Sequence, residues 1–381
     1  MDSRPRILLL GDYSNCHNTL ATGLRRLGCD VTVASNGSKW LDLDRDIDLS
    51  RYENKLGGLL ISTRLLQWIA DGTMSGYDIV AINDVNFVTL RPHRLRFFFD
   101  RIRKANSSIF LTAMSTDIAY LDMVAPPDSP LRYSEWFVGD EPSRWHQIKR
   151  DEWQAWHASA LTRYQRHILD NIDGAVSVLY EYHLGMSRYL GDNKAVYGGI
   201  PIDTSLYQPV ELPDRIDKVR LFLGRDRNRL AMKGTDLLET AAKRVVEKHP
   251  DKAELIIVEN RPFAEFTELL KSAHVVLDQI YSYTPATTAL MAMAYGLNVV
   301  TGGEPEFYDF IGERENRPII NAPIELDPLT DTLEQVVLHP ELIAGRGRQS
   351  REFVVKHNDC ETVARRYLDF WNRRIALKRQ S

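Results

Sequence analysis

The chain has 381 residues, of which 44% are hydrophobic and 26% are charged, and its formal net charge is -4. Since a single hydrophobic core stops growing beyond ~250–300 residues, two domains are expected. The slightly negative charge gives no overall attraction to nucleic acid or anionic lipid, so any such binding has to come from local patches. Cys16, Cys29 and Cys360 are too few and too irregularly placed for a disulfide framework or a zinc site.

The apolar stretches of the sequence are short. None approaches the ~18 consecutive apolar residues of a membrane-spanning helix. The first one, at residues 7–10, is too short for a secretory signal peptide. We therefore expect a cytoplasmic protein.

Short aliphatic runs alternate with segments of helical periodicity, a pattern typical of βαβ units around parallel sheets. The predicted strands lie at residues 6–10, 30–34, 78–82, 108–111, 174–179, 219–223, 253–258, 275–277, 298–300 and 318–320. The predicted helices lie at residues 18–27, 59–70, 95–104, 153–172, 182–190, 236–248, 263–272 and 287–295. The predicted fold class is α/β, with two doubly wound Rossmann-like domains facing a cleft.

Glycines and prolines cluster at residues 197–213, between two complete sets of elements. Such a cluster is typical of a hinge between domains. We therefore expect a first domain at residues 1–198 and a second at 199–355.

Two cations in the second half form a candidate anion site. The predicted strand at 219–223 leads to Gly224 and Arg225, and Lys233 comes just before a helix that starts near Thr235. An arginine fork, a lysine and the N–H groups of a helix start together favour phosphate, and a diphosphate most of all. The alternative is that both cations lie on a solvated face.

The second half resembles the retaining GT-B glycosyltransferases that use nucleotide sugars (glycosyl transferases group 1, or family 4-like). The resemblance rests on four segments: Gly224-Arg225 with Lys233-Gly234, residues 199–203, residues 253–258, and residues 277–300. It implies that Arg225 and Lys233 stabilise the departing diphosphate, without a metal or another cofactor. Asp42, Asp44, Asp46 and Asp48 are read as a solvated loop rather than a metal site.

The sequence departs from the family pattern at important positions. Where the family carries a glutamate that binds the donor ribose, this chain has Met291, and an earlier acidic position is Tyr283. A thioether accepts hydrogen bonds poorly, so it cannot replace that carboxylate. In the first half, Met114 stands where relatives often have a histidine, while Asp117 matches their aspartate and is predicted to be catalytic.

Other candidate site residues follow predicted strands. The donor-binding set comprises Gly11, Gly224, Asn260, Tyr283, Thr287 and Glu304. Among them, Glu304 is the candidate replacement for the missing ribose or sugar ligand, with a solvated turn as the alternative. The acceptor-binding set comprises Asn15, His17 and Trp136. Asn15 is equally suited to cap a helix, and Trp136 belongs to an aromatic stretch of the first domain that is suited to stacking on sugars.

The C-terminal segment is basic and amphipathic. Residues 361–381 carry six basic and two acidic side chains, with apolar residues on one side. The resemblance implies a helix at residues 356–381 that packs back on the first domain. Peripheral membrane contact is the second interpretation of this segment.

The predicted function is therefore a retaining glycosyltransferase that moves a sugar from a nucleoside diphosphate to a glycan or lipid-linked acceptor, in polysaccharide biosynthesis. The expected partners are a nucleotide sugar and that acceptor, and no nucleic acid. The alternative is a GT-B protein that has lost catalysis and serves as a binding or partner subunit. An epimerase and a phosphorylase are further alternatives, but the sequence lacks the paired acidic residues of the first and the lysine-cofactor motif of the second.

Overall fold

The computed structural model describes residues 4–37 and 43–380, and these form two compact units. The first unit combines Met1–Met123, Arg150–Asp203 and Cys360–Ser381, and the second combines Val124–Lys149 and Thr204–Asp359. Asp42 lies outside the described residues, while Asp44, Asp46 and Asp48 are exposed. None of the described helices is both long and apolar enough to cross a bilayer.

The described strands and helices alternate along most of the chain. The strands are β1 (Arg6–Leu10), β2 (Asp30–Ser35), β3 (Ile47–Asp48), β4 (Ile79–Ile82), β5 (Ile109–Ala113), β6 (Phe137–Val138), β7 (Glu141–Pro142), β8 (Gly174–Ser177), β9 (Ala195–Tyr197), β10 (Val219–Arg225), β11 (Ala253–Glu259), β12 (Val275–Leu277), β13 (Asn298–Thr301) and β14 (Ile320–Asn321). The helices are α1 (Cys16–Arg26), α2 (Lys55–Ala70), α3 (Pro92–Ala105), α4 (Ile118–Val124), α5 (Arg144–Ile148), α6 (Arg150–Trp156), α7 (Ser159–Asn171), α8 (Tyr180–Leu190), α9 (Leu230–Lys233), α10 (Thr235–Lys248), α11 (Phe263–Lys271), α12 (Thr287–Ala294), α13 (Pro305–Phe310), α14 (Leu326–Leu338), α15 (Ile343–His357) and α16 (Cys360–Gln380).

The first unit is built on a parallel sheet of seven strands in the order β3-β2-β1-β4-β5-β8-β9. Strand β1 is fully buried from Ile7 to Leu10, and its side chains alternate between two cores. Leu8 and Leu10 point towards the core formed with α2, α3 and α7. Ile7 and Leu9 point towards the core formed with α1 and α16.

Helix α16 packs on the first unit. Tyr367, Phe370 and Trp371 are buried against the sheet residues Ile7 and Leu9. Its first residue lies so close to α1 that a Cβ atom on Gly23 would come within 2.2 Å of the Cys360 carbonyl oxygen. A glycine is needed at this crossing because any side chain would separate the two helices.

The second unit contains a parallel sheet of five strands in the order β11-β10-β12-β13-β14. Helices α10 and α14 cover one face, where their buried apolar residues meet those of β10 and β12. Because all five strands run in the same direction, their carboxyl ends lie at one edge of the sheet. In open α/β sheets, ligands bind at this edge.

The segment Val124–Lys149, called the inserted segment below, belongs to the second unit. The sequence-based division placed it in the first domain, within residues 1–198. The structure differs because the inserted segment makes ion pairs and aromatic contacts with residues that lie more than a hundred positions later, such as Arg132 with Glu304 and Tyr133 with Tyr283. Contacts at such a separation leave no mark in the local sequence pattern.

Some element predictions also differ from the structure. The predicted helix at residues 153–172 is two helices, α6 and α7. Between Arg225 and Lys233, where no helix or strand was predicted, the chain forms a helical turn, α9. The short strands β3 and β9 were not predicted, because two or three residues are too few to show an alternating pattern.

Candidate functional site

Arg225 is the last residue of β10, and two glutamates hold its side chain. Its Nε atom donates to Glu259 Oε2 at 2.8 Å, and Nη1 donates to a carboxylate oxygen of Glu239 on α10. Glu259 is in register with Arg225 at the end of the neighbouring strand β11. The arginine fork therefore lies at the carboxyl edge of the second sheet, with its charge compensated by carboxylates.

Gly224 precedes Arg225 and lies under an aromatic ring. A Cβ atom at this position would come within 2.7 Å of Phe266 on α11. Glycine thus allows α11 to pack closely on the end of β10, which positions the arginine that follows. In the structure, this residue has a packing role beside the predicted donor-binding one.

Lys233 ends α9, and its Nζ atom lies 3.1 Å from Asp278 Oδ1. Asp278 follows β12 and is almost completely buried. Gly234 then adopts φ +67°, and a Cβ atom there would come within 2.3 Å of Ile280. This left-handed glycine turns the chain from α9 into α10, so Lys233 stands beside the start of α10 rather than inside it.

Tyr283 and Glu304 are bound by the inserted segment. The Glu304 carboxylate accepts hydrogen bonds from the Tyr133 hydroxyl, from the Arg132 guanidinium and, at 2.7 Å, from Asn321 Nδ2. The Tyr283 hydroxyl accepts the backbone N–H of Arg132 at 2.7 Å. Burial and the Glu304 carboxylate raise the pKa of Tyr133, so its phenol stays protonated and donates. The predicted ribose ligand is thus already coordinated by three side chains of its own unit.

Helix α12 carries the position of the missing glutamate. Thr287 is its first residue, and Met291 lies in a fully buried stretch that extends from Ala289 to Ala294. A carboxylate at this position would lose its hydration unless a ligand or a cation compensated it. The thioether fits the apolar surroundings and offers no charge.

Asn260 and Trp136 also lie in the second unit. Asn260 follows β11 with φ +52°, a left-handed conformation that asparagine tolerates better than most residues. Trp136 is buried in the inserted segment, 6.3 Å from the ring of Trp145. The predicted acceptor contact at Trp136 therefore belongs to a different unit from the other predicted acceptor residues, and its ring is covered by protein.

The loop after β1 is held together by a buried histidine. His17 Nδ1 lies 2.7 Å from the Gly11 carbonyl oxygen, and Nε2 lies 2.9 Å from Thr112 Oγ1. Burial lowers the pKa of His17 to about 4, so the ring is neutral at physiological pH, with Nδ1–H donating and Nε2 accepting. Both nitrogens are used within the protein, which gives His17 a positioning role rather than direct contact with an acceptor.

The same loop contains Gly11, Asp12 and Asn15. Gly11 has φ +81°, and a Cβ atom there would overlap Asn83 Oδ1 at 1.9 Å. Asp12 Oδ1 accepts the backbone N–H of His17 at 3.0 Å, so Asp12 stabilises the start of α1. Asn15 occupies the residue before α1 with φ +64°, and its side chain makes no capping hydrogen bond. Glycine is required at position 11 for both backbone conformation and space.

Asp117 lies after β5, where it is buried and caps α4. Its Oδ1 atom accepts the backbone N–H of Tyr120 at 2.9 Å. Burial raises the pKa of Asp117 to about 7, and the neighbouring Asp84 carboxyl adds to the effect. Asp84 follows β4 and accepts the Ser115 hydroxyl at 2.6 Å. Sequence reasoning missed Asp84, although an Asn-Asp pair directly after a buried strand is a detectable signal.

The predicted residues thus form separate groups. Gly224, Arg225, Lys233, Asn260, Tyr283, Thr287 and Glu304 share the second unit, together with Trp136. Gly11, Asn15, His17 and Asp117 share the first. Within residues 4–37 and 43–380, no group of three or more His, Cys, Asp or Glu side chains is arranged to hold a metal ion.

Comparison with solved structures decides the fold. The chain is similar to a sucrose-phosphate synthase from Thermosynechococcus elongatus, with a TM-score of 0.61 and 15% identity over 98% of this chain and 100% of that one. It is also similar to Anabaena HepE in complex with UDP-glucose, with a TM-score of 0.59 and 12% identity over 96% of this chain and 99% of that one. The fold is GT-B. The predicted fold class is therefore confirmed.

The GT-B fold by itself does not identify the reaction. A protein described as a UDP-N-acetylglucosamine 2-epimerase from Listeria monocytogenes also matches, with a TM-score of 0.50 and 12% identity over 97% of this chain and 95% of that one. No protein-family model and no curated protein sequence matches this chain. At these identities, the activity of this GT-B protein has to be argued from its own residues.

Proposed function

We propose that this GT-B protein is a glycosyltransferase that transfers a sugar from a nucleoside diphosphate to a glycan or lipid-linked acceptor. The observation that carries the proposal is the position of Arg225 and Lys233 at the ligand-binding edge of the second sheet. The similar structures support it, since one is named a synthase of a sugar phosphate and another holds UDP-glucose.

The donor diphosphate takes the place of carboxylates around the two cations. The Arg225 and Lys233 side chains are 24% and 29% exposed, so an incoming ligand reaches them. Glu239 and Glu259 pair with Arg225, and Asp278 pairs with Lys233. Phosphate oxygens then accept the same N–H donors, since an arginine fork binds phosphate as well as it binds carboxylate.

The chemical role of these cations is to stabilise the leaving group. As the bond between the sugar and the diphosphate breaks, negative charge grows on the phosphate oxygens beside Arg225 and Lys233. We assign the protein a retaining mechanism, in which the acceptor attacks from the face that the diphosphate leaves. Because the two cations supply the positive charge, no metal ion and no other cofactor is included in the proposal.

The acceptor site is proposed at the carboxyl edge of the first sheet. Gly11, Asn15 and Asp117 lie in the loops after β1 and β5, and His17 fixes the first of these loops. With its raised pKa, Asp117 is partly protonated near neutral pH. A carboxyl group in this state both donates to and accepts from sugar hydroxyl groups. The proposal places the reaction in the cytoplasm, where the thiols of the three cysteines would stay reduced.

Turnover of a panel of nucleotide sugars, read as released UDP, GDP or ADP, tests the proposal. At least one donor should be consumed faster when an acceptor glycan is present. The variants Arg225→Ala and Lys233→Ala should each lose most of that turnover. Unchanged turnover in both variants would show that the leaving-group assignment is wrong.

A second function is supported by a specific observation. Met291 is buried where the family has its ribose ligand, and Arg225 is charge-compensated by two glutamates. Both features suit a GT-B protein that binds a partner or a ligand without catalysis. Thermal melts with UDP, GDP and ADP separate the two functions, because a ligand of the folded state raises the melting temperature. If none of the three nucleotides shifts the melting temperature and no donor is turned over, the second function is favoured.

A further inference from the structure

Helix α2 exposes a row of leucines on the first unit. Leu56, Leu59, Leu60 and Leu66 are 62%, 55%, 47% and 42% exposed. Their spacing of three, four and ten residues places them on one face of the helix. The opposite face is buried, with Ile61 and Leu65 in the core, so α2 carries large apolar side chains on both its buried and its exposed face. On the exposed face, Thr63 and Gln67 lie among the leucines. A helix of this kind has an unoccupied apolar face.

Helix α3 lies beside α2 and extends the exposed surface. Arg94 Nη1 of α3 donates to the Gly58 carbonyl oxygen of α2 at 3.2 Å. Phe97 of α3 is 43% exposed, and the Arg101 guanidinium lies 4.3 Å from the centre of its ring. We call this area the α2–α3 surface, with the members Tyr52, Leu56, Leu59, Leu60, Leu66 and Phe97.

The two helices that carry the α2–α3 surface are strongly basic. Helix α2 contains two basic and no acidic residues, and α3 contains five basic residues and one acidic residue, Asp100, which gives a net charge of +6. The whole chain has a net charge of -4. Helical geometry puts Lys55 and Arg64 at the two margins of the leucine face. Apolar side chains with cations at their margins match the chemistry of an anionic lipid surface.

We propose that the α2–α3 surface binds the face of a bilayer that contains anionic phospholipids. The leucines and Phe97 enter the boundary between headgroups and acyl chains, and the surrounding lysines and arginines pair with the anionic headgroups. A second copy of the chain is a poorer occupant, because a symmetric contact would bring together two helix pairs that each have a net charge of +6. Charge complementarity therefore selects lipid.

The topology connects this surface with the edge of the first sheet. Helix α2 follows β3 and α3 follows β4, so the chain leaves the carboxyl edge of the sheet before each helix. Asp84 and Asp117 follow strands at the same edge. An acceptor anchored in the bilayer would thus be presented to that edge. This consequence rests on the proposed function, whereas the binding of the bilayer does not.

Flotation of the full-length chain with vesicles tests the proposal without any nucleotide or turnover. Vesicles of phosphatidylcholine mixed with phosphatidylglycerol should carry the protein, and pure phosphatidylcholine vesicles should carry much less. High salt should weaken the binding, since it screens charges at the lipid surface. The triple variant Leu56→Ser/Leu59→Ser/Leu60→Ser should bind at least about tenfold more weakly.

A matched control uses three leucines that are equally exposed elsewhere. Leu206, Leu342 and Leu377 are 72%, 50% and 53% exposed, and the last lies on α16. Their triple serine variant should bind like the wild type, and thermal melts should show both variants folded. The proposal would be overturned if both triple variants lost vesicle binding equally, or if the wild type bound neither type of vesicle. It would also be overturned if the α2 variant bound as well as the wild type. So would dimerisation in sedimentation velocity that depends on the three α2 leucines and replaces vesicle binding.

Discussion

The charged residues at the two sheet edges differ in exposure and in the groups that they contact. At the edge of the second sheet, Arg225 and Lys233 are partly exposed and held by carboxylates. At the edge of the first sheet, Asp117 is buried and accepts a backbone N–H, while the half-buried Asp84 beside it accepts the Ser115 hydroxyl. An exposed ion pair can exchange one anion for another, whereas an enclosed acid takes up a proton instead. The difference suits the second edge to a diphosphate and the first edge to hydroxyl groups.

The largest expected effect is that of Asp117 on the way the free energy of unfolding changes with pH. Because the pKa of Asp117 rises from an ordinary value of 3.8 to about 7 on folding, its contribution to stability is full below pH 4 and is lost as the pH rises towards 7. Relative to the wild type, Asp117→Asn should therefore gain about 4 kcal/mol of unfolding free energy between pH 4 and 8, at ~1.4 kcal/mol per pKa unit. Urea unfolding at several pH values measures this difference.

Asparagine keeps the helix cap at this position, so a uniform loss of stability is not expected. Because burial lowers the pKa of His17 to about 4, the contribution of His17 to stability increases with pH. The wild type and the variant share this contribution, so it cancels in the difference between them. The exposed acid Asp251 provides the control variant Asp251→Asn, which should leave the pH profile unchanged. A pH-independent difference between Asp117→Asn and wild type would remove the contrast between the two edges.

The next effect concerns the cations of the second edge. We expect Arg225→Ala and Lys233→Ala each to lower kcat for the identified donor roughly 100-fold, the usual effect of removing one group that stabilises transition-state charge. Steady-state kinetics measure it. Arg215→Ala is the matched control, because Arg215 is 91% exposed and pairs with Asp217 in a loop. A similar loss in the control would indicate a general effect of charge.

A smaller effect is expected where the inserted segment contacts the rest of the second unit. Glu304→Gln removes the charge that pairs with Arg132 and weakens the hydrogen bond from Tyr133. The cost should be about 1–3 kcal/mol of unfolding free energy, as for other buried groups that lose a charged partner. Hydrogen exchange should increase within the inserted segment more than elsewhere in the second unit. Glu306→Gln, at the more exposed partner of Arg132, should have much less effect. Equal exchange in both variants would contradict the assigned role of Glu304.

The smallest effect tests whether the carboxylates of the second edge can be exchanged. Glu239→Gln leaves Arg225 with Glu259 alone as its charged partner, so a diphosphate competes with one carboxylate fewer. Nucleotide affinity should increase a few-fold, by up to about 1 kcal/mol. Isothermal titration with the nucleotide of the identified donor measures it. Weaker binding would show that Glu239 positions Arg225 for the ligand and does not compete with it.

The periodicity of the sequence was sufficient for much of the fold. Runs such as Ile7 to Leu10 are strands buried on both faces, and their alternation with amphipathic helices requires parallel sheets. The order of Gly224-Arg225, Lys233-Gly234 and the segment up to Val300 pointed to GT-B. The pair Asn83-Asp84 was missed as part of the candidate site, because its role depends on the neighbouring elements that fold around it.

Local sequence thus determined the strands, the α/β class and the presence of two cations after a strand, because these depend on neighbours a few residues apart. Only the tertiary structure decided which groups those cations and acids contact. The inserted segment joined the second unit through Arg132, Tyr133 and Arg144, whose partners lie far along the chain. Likewise, burial made His17 neutral and raised the pKa of Asp117. Hydration is a property of the folded surroundings, and no spacing of residues in the sequence encodes it directly.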